Sequence, residues 1–546
     1  MKRPDSNTIF IAALGIILCA ATFIMPPCPV WITDNGSKYM VMRTFDEKGT
    51  TALQHTAPEC APTGGFHIQH HKGELRSFYP EYYPVLCSLF YSKSCERAAA
   101  LPAIFGTLFS AYLMLKWTKK KTLAALLALG TPLLFYSFIL WEMTLSCAAI
   151  FGAVYLGMRK KQWLGAGAVA GISVIFREEA YFVILSLSAA MLLFKEYKNA
   201  LRFLCGAACG ILPVWLWQYI EFGHILGLHG NVYISGTGEQ SVSGIVWNYF
   251  HHLLRGEPTG KKYETLFIII PAAIILVSNF GKTAILKAAG IFSALAASVI
   301  LLLRYTQSGS FCYAAACSTG VFAALPLSWF YFANIGKLLT RKAKNYRILA
   351  AFVLIYILTV PAVLTRGDVG LIWSARHFMV LLPFIVILFA GSIKFFQFKK
   401  MQSMRFLPVA VAVFAVLQQF AGVYSCAAVA NESFELENTI RKTGCKAVAS
   451  DVFYLPEMTP RLWFECDFYD LSEPDKIEKL TGILPEKMVL ILSPQPQFRR
   501  IADSNLRYLL NFYTIPSAPI HFKKARGSGF IDLLILKVER KGGSSK

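Results

Sequence analysis

The residues most suited to chemistry stand just after the first long apolar segment, in Trp31-Ile32-Thr33-Asp34-Asn35-Gly36-Ser37-Lys38-Tyr39. An acid presented where a membrane helix ends can take a proton from a hydroxyl while a lipid-anchored substrate keeps its tail in hydrocarbon. The competing reading of Asp34 is a solvated carboxylate capping a short helix. Three further charged sites interrupt or flank apolar runs: Glu142 in Leu140-Trp141-Glu142-Met143-Thr144, the triplet Arg177-Glu178-Glu179, and Arg376-His377. A charge near the hydrocarbon costs about 2.5–3.5 kcal/mol on insertion scales, so three such sites at one depth predict a shared polar cavity. The alternative is that Arg177 pairs with Glu142 or Glu178 only to join helices.

Those residues need elements to hold them, and composition says which. Hydrophobic residues make up 55% of the 546-residue chain, and apolar runs recur from Ile9 to Val423. The net charge of +22 could suggest nucleic acid, but the basic residues sit in short clusters between apolar runs. Examples are Lys116 to Lys121, Arg159-Lys160-Lys161, Lys195 to Arg202, Lys337 to Arg347 and Lys394 to Arg405. That is the pattern of inner-side topology signals, with membrane lipid as partner and no role for nucleic acid.

Threading the chain on this rule gives an α-helical polytopic membrane protein with about thirteen segments. The expected crossings include Thr122 to Leu140, Met143 to Gly157 and, last, Phe406 to Val423. Residues 1–424 form the transmembrane domain, with a large first outer loop over 28–97. Residues 425–546 form a small extracytoplasmic α/β domain. Its expected strands are Cys445 to Phe453, Met488 to Ser493 and Phe530 to Val538, with helical patterns at Pro474 to Leu484 and Phe498 to Phe512. The protein then sits in the cytoplasmic membrane as a multi-pass chain with its C-terminal domain outside.

Of 13 cysteines, Cys87–Cys95 and Cys445–Cys466 are the local choices for pairing in an oxidising compartment. His67-x-x-His70-His71, with His55, makes the first loop metal-capable. Its spacing matches no recognised ligand set, so a solvated loop is the favoured reading; no cofactor is assigned, and a divalent metal stays open. The loop Phe78-Tyr79-Pro80-Glu81-Tyr82-Tyr83-Pro84 offers aromatic faces, Tyr82 among them, that suit a sugar face or a membrane interface equally.

The order of these motifs resembles the C-type glycosyltransferase superfamily, which includes protein O-mannosyltransferases and lipid A aminoarabinose transferases. Asp34 in Thr33-Asp34-Asn35-Gly36 matches that family's first acidic position. Trp141-Glu142-Met143-Thr144 resembles its Trp-Glu-His-Thr motif, with Met143 at the usual histidine. Phe176-Arg177-Glu178-Glu179-Ala180 resembles its Arg-Pro-Glu-Ala hairpin, with Glu178 where proline is common. Trp373-Ser374-Ala375-Arg376 resembles its Trp-Gly-x-Arg element. The resemblance implies a sugar moved from a polyprenyl-phosphate donor to a lipid, glycan or protein acceptor of the envelope, with inversion. It implies Asp34 as general base with Glu142 next, and Arg177, Arg376 and Lys38 as cations for the leaving phosphate. Glu178, His377 and Tyr82 complete the expected substrate contacts. A secondary transporter or flippase would also carry charges at helix breaks, but it should show internal repeats and midplane sites. Neither is visible here, and a non-catalytic scaffold would not explain converging acids and arginines.

Overall fold

The computed structural model describes residues 5–26, 33–55, 68–228, 243–244, 246, 249, 262–279, 284–307, 320–363, 376–393, 406–452, 454–472, 485–493, 506–523 and 532–541. The chain divides into two compact units. One joins Met1–Ile24 to Ala100–Ser425; the other joins Met25–Ala99 to Cys426–Lys546.

The first unit is helical. Its elements are α1 (Ser6–Thr22), α2 (Leu101–Thr118), α3 (Lys121–Leu129), α4 (Leu133–Tyr136), α5 (Met143–Lys160), α6 (Trp163–Ile172), α7 (Glu179–Leu193), α8 (Tyr197–Phe222), α9 (Lys262–Val277), α10 (Ala284–Gln307), α11 (Lys344–Val363), α12 (Leu382–Ile393) and the start of α13 (Leu407–Lys442). Five described helical stretches are long and apolar enough to cross a membrane, among them Glu96–Thr118, Tyr197–Phe222 and Lys344–Val363, and five more apolar helices are shorter. Large apolar side chains such as Ile16, Leu185, Leu212, Leu216 and Phe292 are exposed. Such a surface belongs in lipid rather than water, and the chain is an integral membrane protein. The expected single crossing from Thr122 to Leu140 is broken instead. Gly130 ends α3 and Pro132 precedes α4, because proline cannot continue the hydrogen-bond ladder of the turn before it.

Lysines end several of these helices. Lys119 and Lys161 adopt left-handed backbone at the ends of α2 and α5, and Lys195 does so just after α7. The left-handed residue stops the helix, and its cation faces the negative end of the helix dipole. Helices α6 and α8 pack through glycines at four-residue spacing on both. A Cβ on Gly167 would lie 1.9 Å from the Phe203 carbonyl oxygen, and one on Gly206 would lie 2.0 Å from that of Leu164. Hydrogen-sized side chains let the backbones touch, the usual solution for helices without a hydrophobic drive between them.

The second unit contains α14 (Thr33–Lys48), a hairpin of β1 (Ile68–His71) and β2 (Glu74–Ser77), and α15 (Tyr82–Ser88), with the end of α13 and a mixed sheet. The hairpin turns through Lys72 and Gly73, both at positive φ, as a two-residue turn between twisted strands requires. The sheet runs β4 (Asp467–Asp470), β3 (Ala447–Ser450), β5 (Lys487–Leu492), β8 (Asp532–Arg540) and β6 (Tyr513–Thr514), with β7 (Ile520–Lys523) also on β8. Strands β4, β3 and β5 are parallel, and β8 runs against β5. The three expected strands therefore exist, each within a few residues of its expected limits. Pro474 to Leu484 lies outside the described residues; of the second helical pattern, residues 506–509 are helical.

Two expectations for this region change. The helix that carries the last apolar run does not end with it at Val423; α13 continues to Lys442. Beyond Tyr424 it becomes amphipathic, burying Cys426, Val429, Ala430, Ser433, Leu436, Glu437 and Ile440, the three-to-four spacing of a one-faced helix. Nor is 28–97 simply a loop: Met40, Val41, Leu53, Ile68 and Leu75 share one core with Leu436, Val448, Trp463, Phe468, Ile491 and Leu533. Cys87, Cys95, Cys445 and Cys466 are all unbridged, and the Cys466 thiol lies 3.7 Å from the Cys445 carbonyl oxygen.

Candidate active site

Within the first unit, the charged residues at the starts of three helices meet in one chain of contacts. Glu142 precedes α5, Arg177 stands two residues before α7, Glu179 opens it, and Arg376-His377 begins the short 3-10 turn leading into α12. Arg177 Nη1 donates to Glu142 Oε1 at 3.3 Å. Its Nε donates to Glu179 Oε2 at 2.8 Å, and Nη2 donates to the other oxygen of the same carboxylate. Glu179 Oε1 also lies 2.7 Å from His377 Nδ1, and Arg376 Nε lies 3.3 Å from His377 Nε2.

This sequence of donors assigns the histidine tautomer. Arg376 can only donate, so Nε2 accepts and Nδ1 carries the proton given to Glu179. The ring is then neutral, and the five groups carry two carboxylates and two guanidiniums. Glu142, Glu179 and His377 are buried, and the Arg177 side chain is 16% exposed. An uncompensated charge so placed would be costly; here the cations and acids are matched and hydrogen-bonded. Tyr356 donates to the His377 carbonyl oxygen at 2.7 Å, and the Arg376 guanidinium lies 5.9 Å from the Trp141 ring centroid.

The arrangement brings together Glu142, Arg177, Arg376 and His377 as expected from the sequence. It also includes Glu179, where the sequence reading selected Glu178. Successive helical residues point about 100° apart, and the buried direction at the start of α7 belongs to Glu179; Glu178 is half-buried at the cap position. Trp373, Ser374 and Ala375 lie outside the described residues.

Within the second unit, Asp34 is in the first turn of α14 and is buried. Its Oδ1 accepts from the Tyr79 hydroxyl at 2.6 Å. Lys38, one helical turn on and 1% exposed, holds its ammonium 5.5 Å from the Tyr79 ring centroid. Ser37 and Ser77 hydroxyls meet at 2.8 Å, fixing α14 to β2. At Gly36 the helix touches the backbone of Glu457, whose carbonyl oxygen would be 1.6 Å from a Cβ. The Glu457 carboxyl is pushed up to about 8, chiefly by burial and further by the charges of Asp34 and Asp470. Tyr82, the first residue of α15, is half-buried. It follows Glu81, whose carboxylate is held by Arg76 and Thr51.

His55 hydrogen-bonds the Phe468 carbonyl oxygen at 2.7 Å and packs against Trp463 and Tyr469. His67 lies outside the described residues, and His70 and His71 stand on β1. Among the described residues no three His, Cys, Asp or Glu side chains converge as metal ligands. Tyr79, Glu179 and Glu457 are the site groups that sequence reasoning did not select. Glu179 alone was within reach, from its place in the first turn of an apolar helix.

No protein-family profile and no curated protein sequence matches the chain. Among solved structures, ArnT from Cupriavidus metallidurans bound to undecaprenyl phosphate superimposes with a TM-score of 0.55, at 9% identity over 97% of this chain and 97% of that one. The apo state of the same protein matches with a TM-score of 0.44 at 12% identity over the same shares. At such identity the first likeness is one of architecture: this chain shares the overall fold of that structure.

Proposed function

We propose that the protein is a membrane glycosyltransferase that moves a sugar from a polyprenyl-phosphate donor to a hydroxyl of an envelope lipid, glycan or protein. The observation that carries this reading is the Glu142–Arg177–Glu179–His377–Arg376 chain, a charge-balanced cluster of acids and arginines built where apolar helices begin. The likeness to a structure that holds undecaprenyl phosphate supports the donor class. In the proposed step the acceptor oxygen attacks the anomeric carbon, and its proton passes to the Asp34 carboxylate. The bond from that carbon to the phosphate oxygen breaks, and the phosphate leaves with the electron pair. Attack opposite the leaving group inverts the anomeric centre.

Arg376 is the first cation for the departing phosphate. Arg177 gives its Nε and both Nη groups to Glu142 and Glu179, so its proposed part is to hold the cluster together. His377 orients Arg376 through Nε2. Glu142, Glu178, Lys38 and Tyr82 remain proposed contacts to sugar or phosphate, and the domain at 425–546 is proposed to lie outside the cytoplasm. Purified protein supplied with a radiolabelled polyprenyl-phosphate sugar and an envelope extract should transfer label to the extract. Label that only crosses a proteoliposome membrane, still attached to the polyprenyl carrier, would show a flippase instead.

A further inference from the structure

The first unit holds a concavity at the end of its helices remote from the acid–arginine chain. A cavity of about 360 Å³ is lined by Trp117, Arg159, Lys344, Tyr346, Leu349 and Ile387, among others. These residues lie at the end of α2, the end of α5, the first turns of α11 and the middle of α12. Helix α5 starts beside Glu142 and ends with Arg159-Lys160. Its rise of about 1.5 Å per residue separates the two sites by about 26 Å, close to the thickness of a bilayer's hydrocarbon core. The cavity therefore belongs to the opposite membrane interface from the acid–arginine chain and is independent of the proposed reaction.

Its chemistry divides into a basic rim and an apolar floor. Arg159 donates to the Trp117 carbonyl oxygen and lies 5.5 Å from that ring, which leaves guanidinium donors for another group. Lys344 is answered by Glu196. Beside them Arg341 stacks on Tyr346 at 4.1 Å. Arg341 adds positive charge near the rim without lining the cavity itself. The free donors of Arg159 at the rim suit an anionic oxygen, which makes charge-assisted hydrogen bonds with a guanidinium. Leu349 and Ile387 offer hydrocarbon beneath, and Trp117 and Tyr346 are the amphipathic aromatics that sit at headgroup level.

We infer that this cavity binds the headgroup phosphate of an anionic phospholipid, its acyl chain running down against Leu349 and Ile387. A zwitterionic lipid would bring a second cation to a rim that is already positive. The test uses the purified full-length protein in detergent, with phosphatidylglycerol, phosphatidylcholine or inorganic phosphate added and binding read by native mass spectrometry and thermal shift. Phosphatidylglycerol should bind and raise Tm, while phosphatidylcholine and inorganic phosphate should not. Arg159→Gln should weaken that binding about fivefold, the usual worth of one basic residue at an anionic surface. Ala343→Trp fills the cavity mouth from an exposed lining residue without removing charge, and should abolish binding. Lys120→Gln, an exposed lysine not lining the cavity, should leave it unchanged. Equal binding of the two lipids, an equal shift with inorganic phosphate, or undiminished binding in Ala343→Trp would overturn the inference. An equal loss in Lys120→Gln would do the same, because diffuse charge would then explain the effect. If Arg159→Gln does not fold, Ala343→Trp decides.

Discussion

Glu457→Gln should remove most of a pH-dependent loss of stability in the second unit. The wild-type carboxyl is 1% exposed, presses its backbone on Gly36, and keeps its proton to about pH 8 because burial and the charges of Asp34 and Asp470 oppose ionisation. A folded pKa above the unfolded value means that the folded state holds the proton longer. Stability is then fully present below the unfolded pKa of 4.5 and is lost as pH rises through about 8. At about 1.4 kcal/mol per unit, the group's contribution falls by roughly 2.7 kcal/mol between pH 6 and pH 9. For a unit of this size that is about 5 to 10 °C in Tm. Glutamine keeps the shape and cannot ionise. Scanning fluorimetry at pH 6 and pH 9 should show a steep fall for wild type and a much shallower one for the variant. The residual slope comes from Asp451, raised to about 7 chiefly by burial. Equal slopes in the two proteins would refute the reasoning and mean that Glu457 ionises near its ordinary value.

Three other outcomes follow from the packing of the first unit. Gly206→Ala should destabilise by about 1–3 kcal/mol, as overpacking does, because its Cβ would meet the Leu164 carbonyl oxygen. Gly165→Ala, with nothing within 4 Å, should be neutral or stabilise by about 0.5–1 kcal/mol; paired melting curves check both. Glu179→Gln should cost about 3–5 kcal/mol by leaving Arg177 partly unpaired, whereas Glu178→Gln should cost under about 1 kcal/mol. Arg376→Ala should impair donor saturation far more than it lowers Tm, with Arg376→Lys recovering only part because lysine lacks the planar fork.

Much of the helical frame was legible because lipid imposes simple demands on sequence. The basic clusters at Lys116–Lys121 and Arg159–Lys161 fall where α2 and α5 end, and strands β3 and β5 appear as short apolar runs. The break at Gly130–Pro132 was also written in the sequence, but mean apolar character conceals it. The continuation of α13 past Val423 was hidden for a related reason: uniform hydropathy ends there while helical periodicity continues. Helix α14 carried almost no signal, since Asp34 through Met42 are buried by elements distant in sequence rather than by an apolar stripe. The same distance hid the Tyr79 hydroxyl and the Glu457 carboxyl, which approach the start of α14 only through the fold. Glu179 differs from these. One position separates it from Glu178, and only the direction of the helix's buried face distinguishes them.

The most direct test of the central claim is single-turnover transfer from a radiolabelled polyprenyl-phosphate sugar by wild type and Asp34→Asn, on preparations with matched Tm. The amide keeps an oxygen to accept from Tyr79, so the fold should survive while the proton acceptor is lost. The account predicts transfer by wild type and a fall of about 10²- to 10⁴-fold in the variant. Transfer at nearly the wild-type rate by Asp34→Asn would contradict the assignment of the base, and no transfer by active, folded wild type from any such donor would contradict the proposed reaction.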